Sequence, residues 1–177
     1  MKKEFTLQPF IPVSLDLSVT GEVSRIANQL TISYRLTGDL KQVLIPSVTA
    51  HPYRQFELWE ATCFELFIAP VNESYYWEIN LAPSGNWNIF RLDDYRQGQR
   101  NEEKIASLPM QIQQTEKLIT LDLQLNLDIL VVENQALDVS VTTVIQDQSN
   151  NFSYWALQHT GEVADFHRRD DFILEIT

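Results

Sequence analysis

Alternation of apolar and polar residues with a period of two is the feature of this chain that most narrows its fold. In Val13–Val19 the apolar Val13, Leu15, Leu17 and Val19 are separated by Ser14, Asp16 and Ser18. Leu30, Ile32, Tyr34 and Leu36 alternate with Thr31, Ser33 and Arg35, and Ile119, Leu121, Leu123 and Leu125 form a third set. Leu137, Val139, Val141, Thr143 and Ile145 form a fourth, and Phe172, Leu174 and Ile176 end the chain in the same way. Such segments are half-buried strands with one wet face. No window carries a long amphipathic helix; Asn126–Glu133 has room for one helical turn, and Arg96–Ser107, polar and containing Gly98, reads as a long loop. About nine strands separated by turn residues predict an all-β antiparallel sandwich or barrel. Neither a repeat nor a linker interrupts the 177 residues, so a single domain over 1–177 is expected.

Composition excludes some partners. With 13 Lys and Arg against 24 Asp and Glu, the formal net charge is −11, and phosphate backbones or anionic membranes would be repelled. No apolar run approaches the roughly 20 residues of a membrane span. The lone cysteine, Cys63, cannot form an internal disulfide. Nothing after Met1-Lys2-Lys3 resembles a signal-peptide core, and a cytoplasmic location is the expectation.

The two central hairpins carry the chemistry. If Pro70–Glu73 is a four-residue loop, Phe64 faces Ile79, Leu66 faces Trp77 and Ile68 faces Tyr75 in an apolar layer. The other face then pairs Cys63 with Asn80, Glu65 with Glu78 and Phe67 with Tyr76. Like charges directly opposite on a sheet, with Cβ atoms roughly 4.5–5.5 Å apart, are destabilising, so the two glutamates call for a cation, a shared proton or a ligand. A second four-residue loop at Pro83–Asn86 would set Ala82 opposite Trp87 and Glu78 opposite Arg91, which then balances the charge. This predicts a polar face carrying Glu65, Glu78, Asn80 and Arg91, flanked by Tyr76 and Trp87. A plain solvated face, its ion pair worth roughly 0–1 kcal/mol, fits the same pattern. Interleaved aromatic rings, carboxylates and an amide are also what sugar hydroxyls and ring faces require.

Other residues read more simply. Trp77 and Trp155 fall on core-facing positions. Cys63 has no base or orienting partner in view and reads as an inert buried thiol. Arg96 is placed to bridge carboxylates and anchor the long loop after Asp93-Asp94. The histidines, His51, His159 and His167, lack the short-spaced pairs of a structural zinc site, and His159 and His167 suit hydrogen bonds to a ligand or to the sheet.

Taken in order, Leu58-Trp59-Glu60-Ala61-Thr62-Cys63-Phe64-Glu65, Tyr76-Trp77-Glu78-Ile79-Asn80, Trp87, Asp94-Tyr95-Arg96 and Tyr154-Trp155-Ala156 with the tail through Phe172 resemble the bacterial DOMON-like domains. These are grouped with the family 9 carbohydrate-binding modules. The resemblance implies a jelly-roll-like β-sandwich and a carbohydrate site in which two tryptophans enclose a sugar ring while polar side chains meet its hydroxyls. Trp59 occupies the place of one of them, and His159, Phe166 and His167 lie in the C-terminal loop that would face it. Calcium sites known in such modules would fall at Asp93-Asp94 or Asp170-Asp171, although neither pair carries a specific ligand pattern. No cofactor is required.

Three functions compete. The first is non-catalytic binding of a carbohydrate or sugar-like small molecule by Trp59, Glu65, Tyr76, Glu78, Asn80, Trp87, Arg91, Arg96, His159, Phe166 and His167. The second is a glycoside hydrolase using Glu65 and Glu78, whose direct opposition approaches the roughly 5–5.5 Å carboxyl separation of a retaining pair. The third is haem binding through Met and His, for which only Met1 and Met110 are available.

Overall fold

The alternating segments pair edge to edge into two antiparallel sheets in the computed structural model, which describes all residues from Met1 to Thr177. The strands are β1 (Lys2–Thr6), β2 (Gln8–Pro9), β3 (Leu17–Ile26), β4 (Gln29–Gly38), β5 (Cys63–Pro70), β6 (Tyr76–Leu81) and β7 (Trp87–Leu92). They continue with β8 (Arg100–Asn101), β9 (Met110–Gln114), β10 (Leu118–Asn126), β11 (Leu137–Gln146), β12 (Phe152–Ala156) and β13 (Leu174–Ile176). One sheet runs β1-β3-β4-β10-β9; the other runs β2-β12-β11-β5-β6-β7-β8, with β13 also paired to β11. There is no α-helix, only short 3-10 turns at Leu40–Gln42, Leu58–Glu60 and Arg169–Asp171.

The inner faces meet as the alternation requires. Val19, Val23, Ile32, Leu36, Leu121 and Leu123 of the five-stranded sheet share one core with Leu66, Ile68, Ile79, Val139 and Val141 of the other. Trp77 and Trp155 join that core, as expected. Tyr34 reaches across it: its buried hydroxyl donates to the Glu65 carbonyl at 2.8 Å and ties β4 to β5.

The outer faces differ from each other. On the five-stranded sheet Arg35 is exposed, and Thr20, Ser33, Thr120 and Asp122 are partly exposed to solvent. On the eight-stranded sheet β5 and β6 are buried on both sides. There Phe67, Ala69, Tyr76, Phe90, Leu92 and Phe172 form a second apolar cluster, with Trp59 and Phe166 against it. The expected wet face is therefore roofed by the chain around Trp59, by the stretch after β7 and by the C-terminal loop.

Several local expectations are corrected. The alternation before Leu17 is not strand, because the Leu17 amide turns back onto the Leu15 carbonyl at 3.0 Å. Phe172 ends a 3-10 turn and packs on the outer cluster, so the last strand starts only at Leu174. The long loop after Arg96 contains β8, which pairs with β7. At 126–133 the amides of Leu130 and Val131 both bond the Leu127 carbonyl, one helical turn and no more.

The hairpin registers shift too. Between β5 and β6, Glu65 faces Asn80 and Phe67 faces Glu78, a slip of two from the expected pairing. The turn closed by the Glu73 amide on the Pro70 carbonyl sits inside a longer connection, with Asn72 at φ 67°. An even slip leaves every side chain on its predicted face. Between β6 and β7 the loop is one residue shorter than expected: Ala82 and Asn86 bond across it and Gly85 takes φ 95°. A three-residue hairpin loop with glycine in the left-handed position is a common solution. Its odd offset pairs Leu81 with Trp87 and Trp77 with Arg91, turning Trp87 and Arg91 to the core side.

Candidate functional site

The outer face of β5, β6 and β11 forms the floor of the site. Register sets Asn80, Glu65 and Thr142 in one row and Phe90, Glu78, Phe67 and Ser140 in the next. Glu65 and Glu78 are thus diagonal neighbours rather than directly opposite. At a diagonal the Cβ separation is about 7–8 Å or somewhat less, so the register no longer supplies the close pairing on which a retaining-glycosidase reading rested.

Both carboxyls open into a cavity of about 280 Å³ whose walls include Trp59, Tyr154, Phe166 and His167, with Arg96 on its boundary. That is near the lower end of the roughly 300–1,000 Å³ usual for ligand pockets, a size for one small molecule or sugar unit. Glu65 is 3 % exposed and Glu78 is 4 % exposed. Asn80 donates its amide to Glu78 Oε1 at 2.8 Å. Glu65 Oε2 receives only the Thr142 hydroxyl, at 3.4 Å. The Asn80 Oδ1 oxygen is buried without a hydrogen-bond partner.

The roof is fastened by Asp165. Its carboxylate accepts the Tyr95 hydroxyl at 2.6 Å, the Arg96 guanidinium at 2.7 Å and the His167 amide at 3.2 Å. Burial works against this charge, but the bonds from Tyr95 and Arg96 hold the Asp165 carboxyl below its usual range. The strap after β7 and the C-terminal loop are thereby joined over the cavity. Arg96 anchors its loop as expected, but through Asp165 rather than through Asp93, which pairs with Arg100 at 2.8 Å.

Beneath the clasp runs a polar chain. The Arg96 amide donates to Tyr76 Oη at 3.3 Å, and that hydroxyl lies 2.7 Å from His167 Nδ1. The other ring nitrogen, His167 Nε2, lies 3.9 Å from Glu78 Oε2. Burial, reinforced by Arg96, lowers the His167 pKa to about 4, which keeps the ring neutral near pH 7. Burial raises Glu78 to about 7, with the Asn80 bond and Arg96 pulling the other way. Burial and the charge of Glu78 push Glu65 up well beyond the carboxylate range. Tyr76 is pushed up to about 12, chiefly by burial.

Of the candidate residues, Trp59, Glu65, Glu78, Arg96, Phe166 and His167 line this cavity. Asn80 and Tyr76 stand behind it, bonded to Glu78 and His167. Trp87 and Arg91 are elsewhere, on the core side: Trp87 lies under the Arg54 guanidinium, and Arg91 stacks over Tyr75 at 4.4 Å. His159 bonds the Gln8 carbonyl at 2.9 Å and packs edge-on against Phe10, holding the C-terminal loop to β2. Cys63 is buried with Leu58 and Ala82.

Tyr154, Val144, Gln99 and Ala164 also line the cavity and escaped the sequence reading. Two of them had a signal. Trp155 points into the core, so Tyr154 beside it must point out, where it faces Val144 across the β11–β12 ladder. Gln99 and Ala164 sit in loops with no periodicity to place them. Asp93-Asp94 and Asp170-Asp171 contribute to no group of three or more potential metal ligands. Met110 belongs to β9 of the other sheet and packs against the main core.

A larger hollow of about 580 Å³ crosses the outer face of the five-stranded sheet, between Glu4, Thr20, Glu22, Arg35, Thr120 and Asp122. Its two aromatic members, Phe5 and Tyr34, are buried in the core beneath it, so it presents no exposed aromatic wall and reads as a hydrated sheet surface.

No family model and no curated protein matches the sequence. Solved structures do match its fold. A Bacteroides uniformis protein provisionally described as carbohydrate-binding superposes with a TM-score of 0.69 at 13 % identity, over 96 % of this chain and 84 % of its own. A family 9 carbohydrate-binding module from Caldicellulosiruptor kristjanssonii in complex with glucose gives 0.53 at 9 % identity, over 96 % and 83 % of the two chains. A family 9 module from the same organism in complex with cellotriose gives 0.57 at 9 % identity, over 98 % and 80 %. In its fold, an antiparallel β-sandwich, this chain is similar to the family 9 carbohydrate-binding modules.

Proposed function

We propose that this protein binds a carbohydrate in the cavity over β5 and β6, without turning it over. The observation that carries the reading is the convergence of aromatic walls at Trp59, Tyr154 and Phe166 with two carboxyls on one buried floor. A pyranose ring offers C–H faces to aromatic rings and hydroxyls to carboxyls, so one molecule can satisfy both surfaces. The fold is shared with modules solved holding glucose and cellotriose, which makes this class of ligand the first to test.

The test is titration with glucose and cellotriose, followed by tryptophan fluorescence and by calorimetry. Binding should perturb the emission. Replacing Trp59 by Ala removes one wall, worth about 1.5–3 kcal/mol of burial, and should weaken affinity about tenfold or more. If no mono- or oligosaccharide gives heat or a fluorescence change at millimolar concentration, the reading fails.

A further inference from the structure

The carboxyls on the floor of the cavity have few partners of their own. Glu65 has one long hydrogen bond for two carboxylate oxygens, and Glu78 has one short bond, from Asn80. The remaining amide oxygen in that row, Asn80 Oδ1, is orphaned. A sugar hydroxyl can meet one of these oxygens with its single proton. An ammonium group brings three protons and no lone pair.

Charge leads to the same ligand. Glu65 comes from β5 and Glu78 from β6, while β11 contributes Thr142 and Val144, neither charged. Arg96 is the cation at the boundary, and its guanidinium is engaged by Asp165 at 2.7 Å. His167 stands against Glu78, but its Nδ1 is already hydrogen-bonded to Tyr76 and burial keeps it neutral. Arg91, the residue expected to balance the glutamates, lies on the opposite face of the sheet. Buried carboxyls that favour their protonated form for want of a cation, beneath Trp59, Tyr154 and Phe166, have the composition of an ammonium cage: a bound ammonium would let them ionise, and aromatic faces also attract positive charge.

We infer that the ligand of this cavity carries a protonated amine seated on Glu65 and Glu78 beneath the aromatic walls, which makes it an amino sugar. The inference rests on the carbohydrate reading for the sugar part and on the floor's acceptor chemistry for the amine.

Calorimetry at pH 7 with glucosamine, glucose, N-acetylglucosamine and propylamine separates the two. Glucosamine should bind at least tenfold more tightly than glucose or N-acetylglucosamine, in which the amine is absent or acylated. In the doubly substituted Glu65→Gln, Glu78→Gln protein, that preference should shrink below about threefold; a cooperative thermal transition checks that this variant is folded. Glucose binding as tightly as glucosamine would overturn the inference while leaving carbohydrate binding intact. Propylamine binding that depends on the two glutamates, with no sugar bound, would uphold the amine seat and overturn the carbohydrate reading. Binding of none of the four overturns both.

Discussion

His167 and Glu78 face each other with shifts of opposite sense, and the pair makes a pH prediction. Folded Glu78 titrates at about 7 where an ordinary glutamate titrates at 4.5, so its burial costs more stability as pH rises between those values. Folded His167 titrates at about 4 where an ordinary imidazole titrates at 6.5, so stability is lost as pH falls from 6.5 towards 4. Each slope is at most about 1.4 kcal/mol per pH unit, and over the shared window they oppose one another. Glu65, also raised by burial, adds to the Glu78 direction. Thermal melts should therefore show His167→Gln gaining more stability than the parent on going from pH 7 to 5. Glu78→Gln should gain less stability than the parent over the same range, yet exceed it by at least about 1 kcal/mol at pH 8. Parallel curves for all three proteins would contradict the assignment.

Among the elements, what was legible in the sequence was the inward side of each strand. Leu66, Ile68, Trp77, Ile79 and Val141 are on the side that alternation assigns them. Turn length was not legible: whether Pro83–Asn86 closes over three residues or four depends on the φ of Gly85, and that one residue decides the side taken by Trp87 and Arg91. The presence of an arginine argued for the outer side, but at the sheet end Tyr75, Trp77 and Asp93 give it an amphipathic niche on the inner one. The clasp was equally hidden, because Tyr95 and Arg96 meet Asp165 from about 70 residues away and no periodicity links two loops. The roof also explains why β5, β6 and β7 break their alternation, with Phe67, Tyr76 and Phe90 on a side expected to be wet. Replacing Asp165 by Asn should loosen both loops together. Hydrogen exchange is expected to speed up across 93–100 and 162–168, with little change in the strand amides. Faster exchange in only one of the loops would show that they are not held as a unit.

Across the whole molecule, the two sheets are joined by more than apolar packing. The Tyr34 hydroxyl crosses from one sheet to the backbone of Glu65 in the other, so the strand bearing a cavity carboxyl is referenced to the opposite layer. Tyr34→Phe should lower unfolding stability by about 1 kcal/mol, the usual net worth of a buried hydrogen bond. A fall within experimental error would mean that water or a neighbouring donor takes over that carbonyl. The five-stranded sheet otherwise keeps its polar outer surface, where Ser33 bonds Asp122 and Lys2 pairs with Glu22 at 2.6 Å.

One side of the sandwich is bare and the other is thatched by loops, and this asymmetry separates folding from selectivity. The walls at Trp59, Gln99, Ala164 and Phe166 hang on a scaffold whose core they scarcely enter. Changes of length or composition in those segments can retune what the hollow accepts while the layers beneath stay put, which leaves the architecture open to grafting a new specificity onto an unchanged frame.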